Sequence, residues 1–189
     1  WPRLQLLLGA NFSLVMGFAC LQYFFPSFLI EKFQSDPQDI GMMWSIVSLA
    51  WVLAQFAITA PLSRVLSPVR SFTISAFLMS LSYLLVSMTD NYTLLLFELP
   101  LIGITSAVAF TNAIGFVSNS TDATYQGRIL GINRSVHSLG RASPTLLAGY
   151  LAGIDVSLPI VAGAGFVAIA FLLPQLSPEP QKAAEAEPN

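Results

Sequence analysis

Arg134, His137 and Arg141 stand in one mostly apolar stretch, GRILGINRSVHSLGRASPTLLAGYLAG from Gly127 to Gly153. Wound as a helix at about 100° per residue, the stretch puts Arg141 about 20° around the axis from Arg134 and His137 about 60° away, so the three share a face. The stripe climbs roughly 10 Å at about 1.5 Å per residue. Its chemistry would be that of ions and protons. Guanidinium groups at membrane depth are costly and face a bundle interior or a wet cavity. His137 has an ordinary pKa of about 6.5, so it alone can exchange protons near neutrality without help from its surroundings. The same residues also allow a structural role. His137 would then be a hydrogen-bonded packing residue, Arg141 would pin its helix to neighbours, and Arg134, near the helix end, would snorkel to the interface. Small residues crowd the stretch: Gly131, Ser135, Ser138, Gly140, Ala142 and Ser143.

The elements that carry this stripe must be membrane helices. The 189 residues are 54% hydrophobic and 10% charged, and the mean hydropathy is +0.69. Soluble domains carry about 25% charged residues, so this composition could not cover a water-facing surface. The net charge of −2 gives no footprint for nucleic acid. One histidine excludes a multi-histidine metal site, and Cys20 has no internal disulfide partner. Neither paired aspartates nor Gly-x-Ser-x-Gly occurs in an enzyme context, and the phosphate-binding loop of a nucleotide-driven pump is absent. No enzyme and no cofactor are expected. The chain opens on Trp1-Pro2-Arg3 with no charged leader and cleavage site, so a signal peptide is not expected and a missing beginning is.

Six runs are apolar for about 17 to 25 residues, the length that crosses a bilayer. They cover about 4–30, 40–62, 71–88, 93–117, 128–152 and 158–176. The six make one domain over 1–177, and the Pro-rich polar tail, 178–189, is expected to be disordered and cytoplasmic. Arg3, Arg64, Arg70, Arg128 and Lys182 fall on one side of the membrane. Lys32 is the only basic residue on the other, beside Glu31, Asp36, Asp39, Asp90 and Asp155. Basic loops stay cytoplasmic, which puts both termini there, as an even number of spans requires.

Polar residues are unevenly shared among the runs. Asn11 and Gln22 in the first lie about 20° apart, and Glu98 and Asn112 in the fourth about 40° apart. The second aligns Gly41, Ser45, Ser48, Gln55 and Thr59, flanked by Trp44 and Trp51, as a solute-facing or a close-packing face. The third offers small hydroxyls that can bond back to their own helix. The sixth is apolar throughout. Runs one, two, four and five thus have something to show an interior, and three and six read as lipid-facing supports. Glu98 is the one carboxylate within the runs, and it is expected to lie close to Arg141.

The segment Ser135-Val136-His137-Ser138-Leu139-Gly140-Arg141-Ala142-Ser143-Pro144 resembles the eleventh helix of major facilitator superfamily transporters, above all their drug-efflux branch. Leu139, Arg141, Pro144 and Gly149 match that pattern, Ser143 replaces a glycine, and Gln126-Gly127-Arg128 with Gly131 is similar to the helix entry. The loop Ala60 to Arg70 resembles the family's cytoplasmic gate loop, with Ala60 for its glycine, Arg64 for its aspartate and Val65 for its arginine. The resemblance implies an all-α membrane fold: a three-plus-three inverted repeat forming the C-terminal half of a twelve-helix carrier, completed by an N-terminal six-helix half. It implies secondary transport of a small organic solute by alternating access, with protons as the coupling ion and export as the direction, at the plasma (inner) membrane. Asn11, Gln22, Gln55, Glu98, Asn112, Arg134, His137 and Arg141 would line the path of substrate and ion. Arg64 and Arg70 would belong to the gate loop, and Gly140, Pro144 and Gly149 to helix packing. The alternative is a six-helix scaffold, or a half-size dimerising membrane protein, that moves nothing.

Overall fold

The computed structural model describes residues 2–119 and 125–176, and their regular structure is entirely helical. α1 (Pro2–Phe33) is followed by α2 (Pro37–Ala54), a π-turn (Gln55–Thr59) and α3 (Ala60–Val65), the last three forming one rod. α4 (Pro68–Met88) and α5 (Tyr92–Asn119) come next. α6 (Gln126–Ala142) and α7 (Pro144–Ala152) make another rod, continuous through Ser143, and α8 (Leu158–Leu172) ends in a 3₁₀ turn, Leu173–Leu176. The tail expected at 178–189 lies outside the described residues.

Helix ends are set by polar caps that stand beyond the apolar runs. Asp36 and Asp39 form a reciprocal capping box with Pro37 in the first turn, so α2 starts before the apolar run at 40. The Ser67 hydroxyl accepts from the Arg70 N–H and starts α4 at Pro68 rather than 71. Gln34, at φ 54°, turns the chain after α1, which reaches Phe33 rather than stopping at 30. The second run, expected to end at 62, continues as helix through Pro61 to Val65. Proline has no N–H, and its ring presses on the carbonyl four residues back. The backbone widens instead: the Ala60 N–H reaches the Gln55 carbonyl across the π-turn, and helix continues to Val65.

Among the described residues five helices are long and apolar enough to cross a membrane: Leu4–Phe33, Pro37–Val65, Pro68–Met88, Tyr92–Val117 and Leu158–Leu176. The α6–α7 rod is of comparable length but carries the polar stripe. Its direction follows from its register with α1. Asn11 meets Asn133, Gln22 meets Arg141, and Phe24 lies beside Gly149. The numbers rise together, so the two run parallel. α2 and α5 are also parallel, through Asp39–Tyr92 and Gln55–Thr111. α8 runs against both α1 and α4, with Gly163 at Gly17 and Leu173 at Gly9, and with Phe171 at Phe77. These senses are those of six rods that alternate in direction.

α4 and α8 are more than lipid-facing supports. α4 buries Phe72, Ala76, Met79, Tyr83 and Val86 and exposes Ile74, Phe77, Leu78 and Leu81 on its other side. Most of its hydroxyls bond back to their own helix, as Ser75 does to Ser71 and Ser82 to Leu78, but Ser80 donates across to the Ala164 carbonyl of α8 at 2.9 Å. α8 closes on α1 through glycines. A Cβ on Gly163 would lie 2.8 Å from the Gly17 carbonyl oxygen, so only hydrogen lets the two backbones approach this closely.

One end of the bundle is tied by polar contacts. Lys32 pairs with Asp90 at 2.8 Å, donates to the Ser87 carbonyl at 3.3 Å and covers the Phe28 ring. Tyr92 donates to Asp39 at 3.4 Å. These contacts join the end of α1, the start of α2 and the α4–α5 turn.

Candidate solute and proton path

The stripe on α6 meets α1. The Asn11 amide donates to Asn133 Oδ1, and His137 Nε2 lies 3.1 Å from Asn11 Oδ1. Because that oxygen can only accept, Nε2 is the protonated nitrogen of His137. Asn11 is fully buried and Asn133 nearly so, while His137 is half-buried. Two amides and an imidazole thus satisfy one another in apolar surroundings, where unpaired polar groups are costly. Gly140 brings the helices together here, since a Cβ on it would lie 3.2 Å from the Phe12 carbonyl oxygen. Further along the same seam, Arg141 Nη2 donates to Gln22 Oε1 at 2.9 Å. Arg141 is exposed.

A ring cluster flanks the seam. Phe18, Trp51 and Phe110 meet pairwise at 5.2 to 6.1 Å, and Phe110 stands edge-on to His137 at 6.3 Å. Behind it, Gln55 exchanges hydrogen bonds with Thr111 at 2.9 and 3.2 Å. Four of the expected path residues therefore gather on α1 and α6 or beside them: Asn11 with His137, and Gln22 with Arg141. Gln55 joins α2 to α5. Arg134 shares the exposed side of α6, and its guanidinium has no partner among the described residues.

Glu98 and Asn112 do not join this group. Glu98 is 8% exposed, and its carboxylate oxygens lie 2.7 and 2.8 Å from the Thr89 hydroxyl in the α4–α5 turn. The expected closeness of Glu98 and Arg141 is not seen: Thr89 holds one and Gln22 the other, and the one ion pair between described residues is Lys32–Asp90. The carboxylate sits near the start of α5, and a donor on the adjacent turn is nearer than any group on α6. Asn112 is buried and donates to the Val108 carbonyl of its own helix at 2.8 Å.

Arg64 and Arg70 are exposed around the break between α3 and α4. Of the packing trio, Gly140 is tight and Pro144 buried, whereas Gly149 is open, with only the Phe24 ring 4.0 Å from a Cβ position. The small-residue face of the second span is open at its start and packed toward its end, where Thr59 is buried and Gln55 meets Thr111. Ser45 and Ser48 are exposed, and nothing lies within 4 Å of a Cβ on Gly41. Asn133 is the residue that sequence reasoning missed. It stands four positions before His137, on the same stripe, and that spacing was the available signal. Among the described residues no three His, Cys, Asp or Glu side chains come together as a metal site requires. A groove of about 200 Å³ between α4 and α8, lined by Phe77, Ser80, Ala168, Phe171 and Leu172, shares no residue with the polar seam.

A helical bundle with apolar outer faces and a polar seam between α1 and α6 is a helical membrane domain. Residues 7–189 match the Major Facilitator Superfamily, and the chain belongs to that superfamily. It is an integral membrane protein of a transport family, not an enzyme, and its family places a small molecule as its cargo. A search of curated proteins finds no match.

Proposed function

We propose that the chain is the C-terminal six-helix half of a secondary active transporter that exports a small organic solute in exchange for protons. The α6–α7 rod is the fifth of six spans, and a matching N-terminal half covers the open faces of α2 and α6. The observation that carries this reading is the seam itself. Buried Asn11 and Asn133 and half-buried His137 form a polar chain, and Arg141 and Arg134 stand exposed on the same helix as His137. A structural seam needs no outlet, whereas a path for solute and proton does. In this reading His137 exchanges the proton, Asn11 and Asn133 hold its ring, and Gln22, Gln55 and the aromatic cluster form the solute wall. Glu98 and Asn112 belong to the supporting shell. The drug-efflux-like eleventh helix favours export at the plasma membrane, and the loop charges favour both termini in the cytoplasm.

The test uses the full-length protein in proteoliposomes with a trapped pH dye and a panel of benzoate, glucose and tetraphenylphosphonium. Solute-dependent proton flux is expected with at least one class of solute. His137→Gln keeps a donor toward Asn11 but cannot exchange protons, so it should retain solute counterflow and lose proton-driven accumulation. Full proton-driven transport by His137→Gln would remove the relay.

A further inference from the structure

We infer that the α1–α6 face takes an organic anion, with Arg141 as the residue that reads its negative charge. The inference deepens the transport reading and rests on it. Arg141 is oriented but not neutralised, because its one partner among the described residues, Gln22 Oε1, is an uncharged carbonyl. A guanidinium offers five N–H donors in a planar fork, so four remain for a second, bidentate acceptor. Arg134 lies two helical turns away on the same side of α6, exposed and without a partner among the described residues. Glu98 is placed elsewhere, its carboxylate accepting from the Thr89 hydroxyl in the α4–α5 turn. The face therefore carries two permanent positive charges that no described carboxylate offsets.

Uncompensated charge at membrane depth is costly, and an anion that arrives and leaves relieves that cost only while bound. A cation would add to it. Phe18, Trp51 and Phe110 supply the complementary apolar part beside the seam. Together these fit a carboxylate, sulfonate or phosphate ester on an aromatic or aliphatic body.

The experiment measures thermal unfolding of the purified full-length protein with benzoate, benzamide or benzylamine, three probes of one shape and different charge. Benzoate should raise Tm by about 3 °C at a concentration about tenfold above its Kd. Benzamide and benzylamine should not. Arg141→Gln should weaken benzoate binding by about tenfold to a hundredfold, the loss typical of a charge-assisted pair. Arg134→Gln should weaken it less. A larger shift with benzamide or benzylamine would overturn the anion and leave the transporter standing. So would a benzoate shift unchanged by Arg141→Gln. No shift with any probe, together with a lower Tm for Arg141→Gln alone, would mean that an acidic side chain of another domain fills the site, and the proposal would fall. The proteoliposome flux assay reports separately on transport.

Discussion

Gly163 and Gly165 stand two residues apart on α8 and should respond oppositely to one added methyl group. At Gly163 a Cβ would lie 2.8 Å from the Gly17 carbonyl oxygen, 3.2 Å from Cys20 Cβ and 3.5 Å from Tyr83 Cδ2. The nearest atom is backbone and cannot swing aside, so α1 and α8 must part by a few tenths of an ångström. Overpacking of that kind costs about 1–3 kcal/mol. At Gly165 nothing lies within 4 Å, so the methyl enters open space. Both substitutions to alanine gain the same helix propensity, about 1 kcal/mol. That term cancels when the variants are compared with each other. Gly165→Ala should therefore be more stable than Gly163→Ala by about 1–3 kcal/mol, or about 2–12 °C in Tm for a domain of this size. Thermal unfolding in detergent, followed by fluorescence-detected gel filtration, measures the difference. Equal Tm values, or a higher one for Gly163→Ala, would refute the close crossing of α1 and α8.

Asn11→Leu should lower stability by about 1–2 kcal/mol, because it leaves Asn133 and His137 without their shared partner, whereas Asn112→Leu removes only a bond within its own helix. Thermal unfolding of the two variants side by side checks this. A double-mutant cycle with Glu98→Gln and Arg141→Gln should be additive within about 0.5 kcal/mol, since the two side chains bind separate partners; a larger coupling in transport or stability would show that they meet. Cysteine at exposed Gln38 should react with an impermeant label from outside intact cells, and cysteine at exposed Ser67 should not. Buried Cys20 gives no background, and labelling at Ser67 would invert the topology.

Composition and apolar length were enough to read the helices from the sequence, because a bilayer fixes both. The stripe on α6 was legible for the same reason: Arg134, His137 and Arg141 stand out against apolar neighbours. Partnership was not. Glu98 is the only carboxylate in the apolar runs, and charge alone paired it with Arg141, but a hydroxyl on the adjoining turn was closer than any group on α6. Asn133 escaped notice because an asparagine among serines and glycines looks like ordinary packing until Asn11 is placed opposite. Helix ends were read short at Ile30 and Ser71 because hydropathy marks the lipid, whereas Gln34 and Ser67 mark where the backbone turns. The apolar sequence of α8 hid its inner face, since Gly163 carries no side chain to announce a contact.

The π-turn at Gln55–Thr59 has a consequence for chain length. A turn of this kind holds one residue more than an α-turn, so everything after it is rotated as if the helix had one residue fewer. Elsewhere in α2 or α5, deleting a single residue would swing all later side chains by about 100° and scramble the packed face. Between Gln55 and Thr59 a deletion would instead remove the surplus. Coupled with Pro61→Ala, so that an α-turn can close, it should leave Arg64, Val65 and the break before Pro68 facing as they do now. Among chains of this build, gaps of one residue should therefore collect at this turn and be scarce on either side of it.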